Sequence, residues 1–145
     1  MTGLYIHIPL CRSRCRYCDF YKVTPNQWDG ADRFLNAIDL ELSLLPESFK
    51  PDTIFIGGGT PSALSAIELD QFFTILRKRI SLNFLKESTV EVNPNSIDQE
   101  KLLILKQAEI NRISIGVQTF QPNALKLLGR VHNRDQSIEA FNLAR

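Results

Sequence analysis

Leu4-Tyr5-Ile6-His7-Ile8-Pro9-Leu10-Cys11-Arg12-Ser13-Arg14-Cys15-Arg16-Tyr17-Cys18-Asp19-Phe20 is the stretch from which the architecture can be read. Its first half alternates, with Leu4, Ile6 and Ile8 on one side of an extended chain and Tyr5 and His7 on the other. Its second half holds all three cysteines of the protein, spaced C-x3-C-x2-C at Cys11, Cys15 and Cys18. A strand therefore runs straight into a loop of thiols.

The same alternation returns along the chain. Residues 4–9, 53–57, 89–93 and 112–118 each read as strands rich in Val and Ile. Between them lie helical patterns. Residues 31–45 place Phe34, Leu35, Ile38, Leu42 and Leu45 on one face, with Asp29 as N-cap and Pro46 as the stop. A capping box at Ser65-Ala66-Ile67-Glu68 opens a helix burying Leu69, Phe72, Phe73, Leu76 and Ile80. Ser96-x-x-Gln99 is read as the start of a third helix, carrying Leu102, Leu103 and Leu105, and Asn133-x-x-Gln136 of a fourth, carrying Ile138 and Phe141. Strand–helix alternation predicts right-handed βαβ units and a parallel sheet.

The two strand faces decide between architectures. One holds Leu4, Ile6, Ile8, Ile54, Ile56, Val90, Val92, Ile113, Ile115 and Val117; the other holds Tyr5, His7, Phe55, Gly57, Glu91, Asn93, Ser114, Gly116 and Gln118. A sheet buried on both faces reads as continuous apolar runs. One apolar face with a small, polar reverse predicts strands curling around a ligand-filled hollow, an α/β fold of the (β/α)-barrel kind. Such barrels keep their chemistry at the C-terminal ends of the strands.

Each strand end carries a motif. The three thiols suit an iron–sulfur cluster or zinc. A [4Fe–4S] cube takes one ligand per iron, so three cysteines leave one iron open. Zinc would need His7 or His132 as a fourth ligand, whereas a disulfide would leave one cysteine over. Arg12, Arg14 and Arg16 interleave with the cysteines, and cations beside thiols favour the thiolate. Gly57-Gly58-Gly59-Thr60-Pro61 lets a ligand approach the backbone closely, or makes a tight turn. Glu91 on the polar face needs a partner, either a ligand ammonium or ribose, or Arg112. Gln118 continues the ligand-facing row, and Arg130 follows a short helix opened at Pro122 in a position suited to a carboxylate.

Composition bounds the rest. The chain has 145 residues, 43% hydrophobic and 23% charged, as in an ordinary globular domain. A net charge of +1 gives no field to attract nucleic acid or an anionic membrane, so membrane contact is expected only through a partner. No apolar run approaches the roughly 20 residues of a membrane span. Free cysteines without a signal-peptide pattern predict a reducing cytoplasm.

Taken together, these motifs resemble the radical S-adenosylmethionine (SAM) superfamily. There the C-x3-C-x2-C loop holds a [4Fe–4S] cluster whose open iron chelates SAM, and one electron cleaves the sulfonium to release a deoxyadenosyl radical. Tyr5-Ile6-His7-Ile8-Pro9-Leu10-Cys11, Gly57-Gly58-Gly59-Thr60-Pro61, Glu91-Val92-Asn93-Pro94 and Ser114-Ile115-Gly116-Val117-Gln118 resemble, more narrowly, the coproporphyrinogen III oxidase-like branch with its haem chaperones of the HemW type. The resemblance implies that Cys11, Cys15 and Cys18 bind the cluster. It implies that Tyr5, Tyr17, Gly58, Gly59, Thr60 and Glu91 contact SAM, with Gln118 and Arg130 at a second SAM position. Asp19-Phe20 in place of a further cysteine, and Leu128-Gly129-Arg130-Val131-His132, look like the chaperones. The implied cofactors are the cluster, SAM and haem; the implied partners are apo-haemoproteins and an electron donor such as a flavodoxin or ferredoxin. The alternatives are an oxygen-independent coproporphyrinogen III oxidase of porphyrin biosynthesis and a non-catalytic zinc-stabilised domain. Units of about 30 residues predict that 1–145 is an N-terminal portion, about four βα units, of a partial (β/α)6 barrel, incomplete at its C-terminus.

Overall fold

A computed structural model describes residues 1–145. Strands β1 (Gly3–Ile8), β2 (Thr53–Gly58), β3 (Glu87–Val92) and β4 (Arg112–Ile115) form one parallel sheet in the order β1-β2-β3-β4. The helices are α1 (Ala31–Ser43), α2 (Ala66–Arg77), α3 (Gln99–Gln107), α4 (Pro122–Leu128) and α5 (Arg134–Leu143). A doubly wound sheet reverses its strand order at a switch point. Here every strand pairs with its successor, and α1 packs on α2 and α2 on α3, as in an arc of a (β/α) barrel.

The apolar strand face forms the core. Ile6, Ile8, Ile54, Ile56, Val90 and Val92 are buried against Leu35, Ile38 and Leu42 of α1, Phe72, Phe73 and Leu76 of α2, and Leu105 of α3. Phe72 and Phe73 meet edge to face with centroids 5.2 Å apart. On the reverse face Tyr5 stays 52% exposed, so the hollow side of the arc is open. At the opposite, N-terminal end of the strands, Asp52 accepts from the Thr2 amide at 2.8 Å and pairs with Lys86 at 3.0 Å. That amide and that ammonium hold its carboxyl below the usual range. This end ties the chain together.

The capping boxes at Ser65/Glu68 and Asn133/Gln136 form as expected. Several other expectations are corrected. The N-cap of α1 is Gly30, because Asp29 pairs with Arg33 at 2.6 Å one turn on. The N-cap of α3 is Asp98, accepting from the Lys101 amide at 2.9 Å, because the Ser96 side chain turns inward. Strand β4 ends at Ile115, and Gln118 sits at φ +65, outside any strand. In α5 the buried residues are Ser137 and Ala140, while Ile138 and Phe141 face outward; Leu103 of α3 is exposed too. No helix is long and apolar enough to cross a membrane.

Candidate cofactor site

The thiol loop is closed at its root. The Val23 amide donates to Pro9 O and the Cys11 amide to Val23 O, both at 2.9 Å. Further out, the Arg16 amide donates to Leu128 O at 3.0 Å, which seats the loop on the end of α4. Lys22 Nζ donates to the carbonyls of Cys18 at 2.7 Å and Phe20 at 3.1 Å. Burial, then the two neighbouring thiols, pushes the Cys11 thiol up; the Thr60 hydroxyl, 3.6 Å away, and Lys22 oppose that shift. The interleaved arginines are not the cations on the thiols. Arg12 donates to Asn95 O at 3.2 Å and Arg14 to Gln27 Oε1 at 2.8 Å. The guanidinium that reaches a thiol belongs to Arg130, whose Nη1 lies 3.4 Å from Cys15 Sγ.

The glycine turn runs beside this loop. The Gly59 amide donates to Ile8 O and the Thr60 amide to Leu10 O, both at 2.8 Å, so the turn is stitched to the chain entering the cysteines. Gly58 holds φ +105, a conformation that side-chain-bearing residues rarely adopt. Glu91 lies over Gly57, where a Cβ would meet its Oε2 at 2.6 Å. Arg112 does not pair with it; that guanidinium binds Glu87 at 3.6 Å and Thr89 Oγ1 at 3.2 Å. The Glu91 carboxylate takes part in none of the ion pairs and is left facing a cleft.

That cleft has a volume of about 290 Å³. Cys11, Cys15, Cys18, Tyr17, Gly58, Gly59, Thr60, Glu91, Gln118 and Arg130 all line it. Tyr5 does not; its hydroxyl is bonded to His7 Nδ1 at 3.0 Å. His7 Nε2 donates to Tyr21 O at 2.9 Å. His132 is buried outside the cleft, its Nε2 donating to Val117 O at 3.1 Å and its Nδ1 without a partner. Burial and then Arg130 hold this imidazole below its ordinary value of 6.5. The unfolded chain therefore takes up the proton first, and stability that is complete above 6.5 is lost as the pH falls toward the folded value. Thermal midpoints should drop on acidification through that window, and His132→Phe should flatten the slope.

Sequence reasoning missed the support behind the cleft. Ser96 lines it, and its hydroxyl is 2.6 Å from Ser62 Oγ, which in turn accepts from the Asn93 amide at 3.1 Å. Lys101, buried on α3, donates from Nζ to Ser62 O at 2.8 Å and Ser96 O at 2.9 Å, locking the glycine turn to the turn after β3. Burial pushes its pKa down. A lysine in the first turn of a helix gives no local sign of such a destination. Asn93 and Ser114 could have been found, since both fall on the polar strand row.

The donor set fits an iron–sulfur cube better than one ion. Three soft thiols from one loop, those of Cys11, Cys15 and Cys18, face the cleft, a donor set of the kind that holds such a cube. Both histidines that zinc would recruit already donate to carbonyls.

Comparison with known proteins agrees with this fold. The family model described as the Radical SAM superfamily matches residues 5–145. The heme chaperone HemW of Bacillus subtilis (strain 168) is 42% identical over 149 residues, covering 100% of this chain and 39% of the relative. That of Escherichia coli (strain K12) is 39% identical over 146 residues, covering 98% and 38%. The solved structure of coproporphyrinogen III oxidase (HemN) from Escherichia coli, described as a radical SAM enzyme, aligns at a TM-score of 0.86 and 29% identity. It covers 99% of this chain and 34% of that one. The chain thus spans less than two fifths of the length of these curated relatives.

Proposed function

This chain belongs to the radical SAM superfamily, and from that premise we propose that it carries the cofactor-binding part of a haem chaperone of the HemW type. In this reading Cys11, Cys15 and Cys18 hold a [4Fe–4S] cluster, which when bound supplies an electron to the sulfonium of SAM. The observation that carries the reading is one cleft in which three thiols face an unpaired carboxylate across a bare glycine turn. Glu91 orients SAM by accepting hydrogen bonds from its ammonium or ribose. Gly58, Gly59 and Thr60 form the wall against which the cofactor lies, and Tyr17 covers it from the loop side. Gln118 and Arg130 line the remaining wall, next to β4. The bound cofactors would be the cluster, SAM and haem, with apo-haemoproteins as recipients and a flavodoxin or ferredoxin as electron donor, in the cytoplasm.

Higher identity to the two chaperones than to the oxidase, 42% and 39% against 29%, supports chaperone over decarboxylase. So does Asp19 in place of a further cysteine. Anaerobic reconstitution should give about four irons and four sulfides per chain, with a cluster spectrum that changes on adding SAM. Haem should then bind and pass to an apo-cytochrome. A reconstituted protein that takes up no haem, or that releases carbon dioxide from coproporphyrinogen, would overturn the chaperone assignment.

Glu91→Gln keeps the shape and removes the charge. Loss of charge-assisted hydrogen bonds should weaken SAM binding about 10- to 100-fold, read by calorimetry, with iron and sulfide content unchanged. An unaltered affinity would remove Glu91 from the site.

A further inference from the structure

We infer that Arg130 is a positioning residue that raises the reduction potential of the cluster through a charge-assisted hydrogen bond to Cys15. The inference rests on the cluster reading above and gives Arg130, so far a residue of the cleft wall, a role toward the cluster itself.

Three observations carry it. First, the guanidinium is fixed before it reaches the thiol. Gly129 caps α4 in the left-handed conformation (φ +72), and the next amide, that of Arg130, closes on Leu125 O at 2.9 Å. Nη2 then donates to Gly116 O at 2.7 Å and Nη1 to Tyr17 OH at 3.3 Å. Second, the same Nη1 lies 3.4 Å from Cys15 Sγ, 115 residues away in the chain. Third, the charge has no acid to neutralise it. Arg130 belongs to none of the ion pairs, and its Nε is buried without a partner. A half-buried, unneutralised cation is costly unless an anion faces it. The group this cation reaches is Cys15 Sγ, which in the cluster reading carries the negative charge of a thiolate-ligated cube.

The consequence has a sign. Reduction adds one electron to the cube and makes it more negative. A donor and a positive charge on a ligating sulfur stabilise that added charge, so the potential rises. Removing Arg130 should therefore make the cluster harder to reduce. The contact also ties the thiol loop to the end of β4 through Gly116, linking the first and last strands of the arc across the cleft.

The test is an anaerobic redox titration of the reconstituted protein without SAM, followed by electron paramagnetic resonance, comparing wild type with Arg130→Met and Arg130→Lys. Arg130→Met should lose about tenfold in the one-electron reduction equilibrium, a midpoint lower by about 59 mV. Lysine keeps the charge but presents it as a point charge in place of the planar fork that holds Gly116 O and Cys15 Sγ, and should fall between. Midpoints equal to wild type in variants with full iron and sulfide content would overturn the inference while leaving the cluster reading intact. Loss of the cluster from both variants would also overturn it, making Arg130 an assembly element. A wild-type protein that assembles no cluster would instead overturn the cluster reading itself.

Discussion

Replacing Cys11, Cys15 or Cys18 singly with alanine is expected to abolish cluster assembly, taking iron and sulfide from about four of each per chain to near zero. Each thiol would hold a different iron, so no pair of cysteines can substitute for the third. The effect should not be unfolding. Cys15 and Cys18 are partly exposed on a loop, and the loop is closed by backbone bonds from Val23 and Cys11 that the substitutions leave alone. Circular dichroism and the denaturant midpoints of the cluster-free proteins should therefore change little for Cys15→Ala and Cys18→Ala and fall modestly for the buried Cys11→Ala, while the cluster absorbance disappears in all three. A variant that retains its full iron and sulfide would refute the three-cysteine ligand set. Full zinc and no sulfide in wild type would restore the zinc reading.

Gly59→Ala is expected to have the largest effect among substitutions that leave the cysteines in place. Its Cβ would stand 2.6 Å from Pro9 O and 2.7 Å from Leu10 O, both backbone atoms that cannot rotate away. The turn would have to move, straining the bonds from the Gly59 amide to Ile8 O and the Thr60 amide to Leu10 O, each 2.8 Å. Overpacking and strained hydrogen bonds together should cost about 2–4 kcal/mol, measured as a lower denaturant midpoint with an unchanged slope. The displaced turn also faces Cys11 through Thr60, so cluster content should fall as well. Gly3→Ala is the control. Its Cβ meets only the Thr53 hydroxyl at 3.2 Å, which can give way, and it lies at the opposite end of β1. Equal costs at the two positions would mean that the glycine turn is not held by the thiol loop.

The polar network behind the cleft bears on both results. Lys101 fastens the turn at Ser62 to the turn at Ser96, so strain introduced at Gly59 has little slack to relax into. The side chains bonded to carbonyls add to the apolar packing of Leu64 and Ile97 in the same two turns, and they lie immediately behind Asn93 and Ser96, which line the cleft.

Strand alternation, the two strand faces and the capping boxes at Ser65 and Asn133 were legible in the residues themselves, because each depends on neighbours within one turn or one pleat, and the parallel sheet followed from the alternation of strand with helix. So was the gathering of the thiols, the glycine turn and Glu91, since a (β/α) arc sends every strand's C-terminal end to the same side. Tertiary structure alone decided which polar groups meet. Glu91 is left free because Arg112 finds Glu87. Ser96 abandons the helix cap for Ser62, Lys101 is drawn inward by two carbonyls, and Arg130 reaches Cys15 where three nearer arginines do not. Periodicity and capping are short-range and written locally. The partner of a long polar side chain is set by closure of the whole chain, when burial forces each donor and charge to find whatever acceptor the fold has brought within reach.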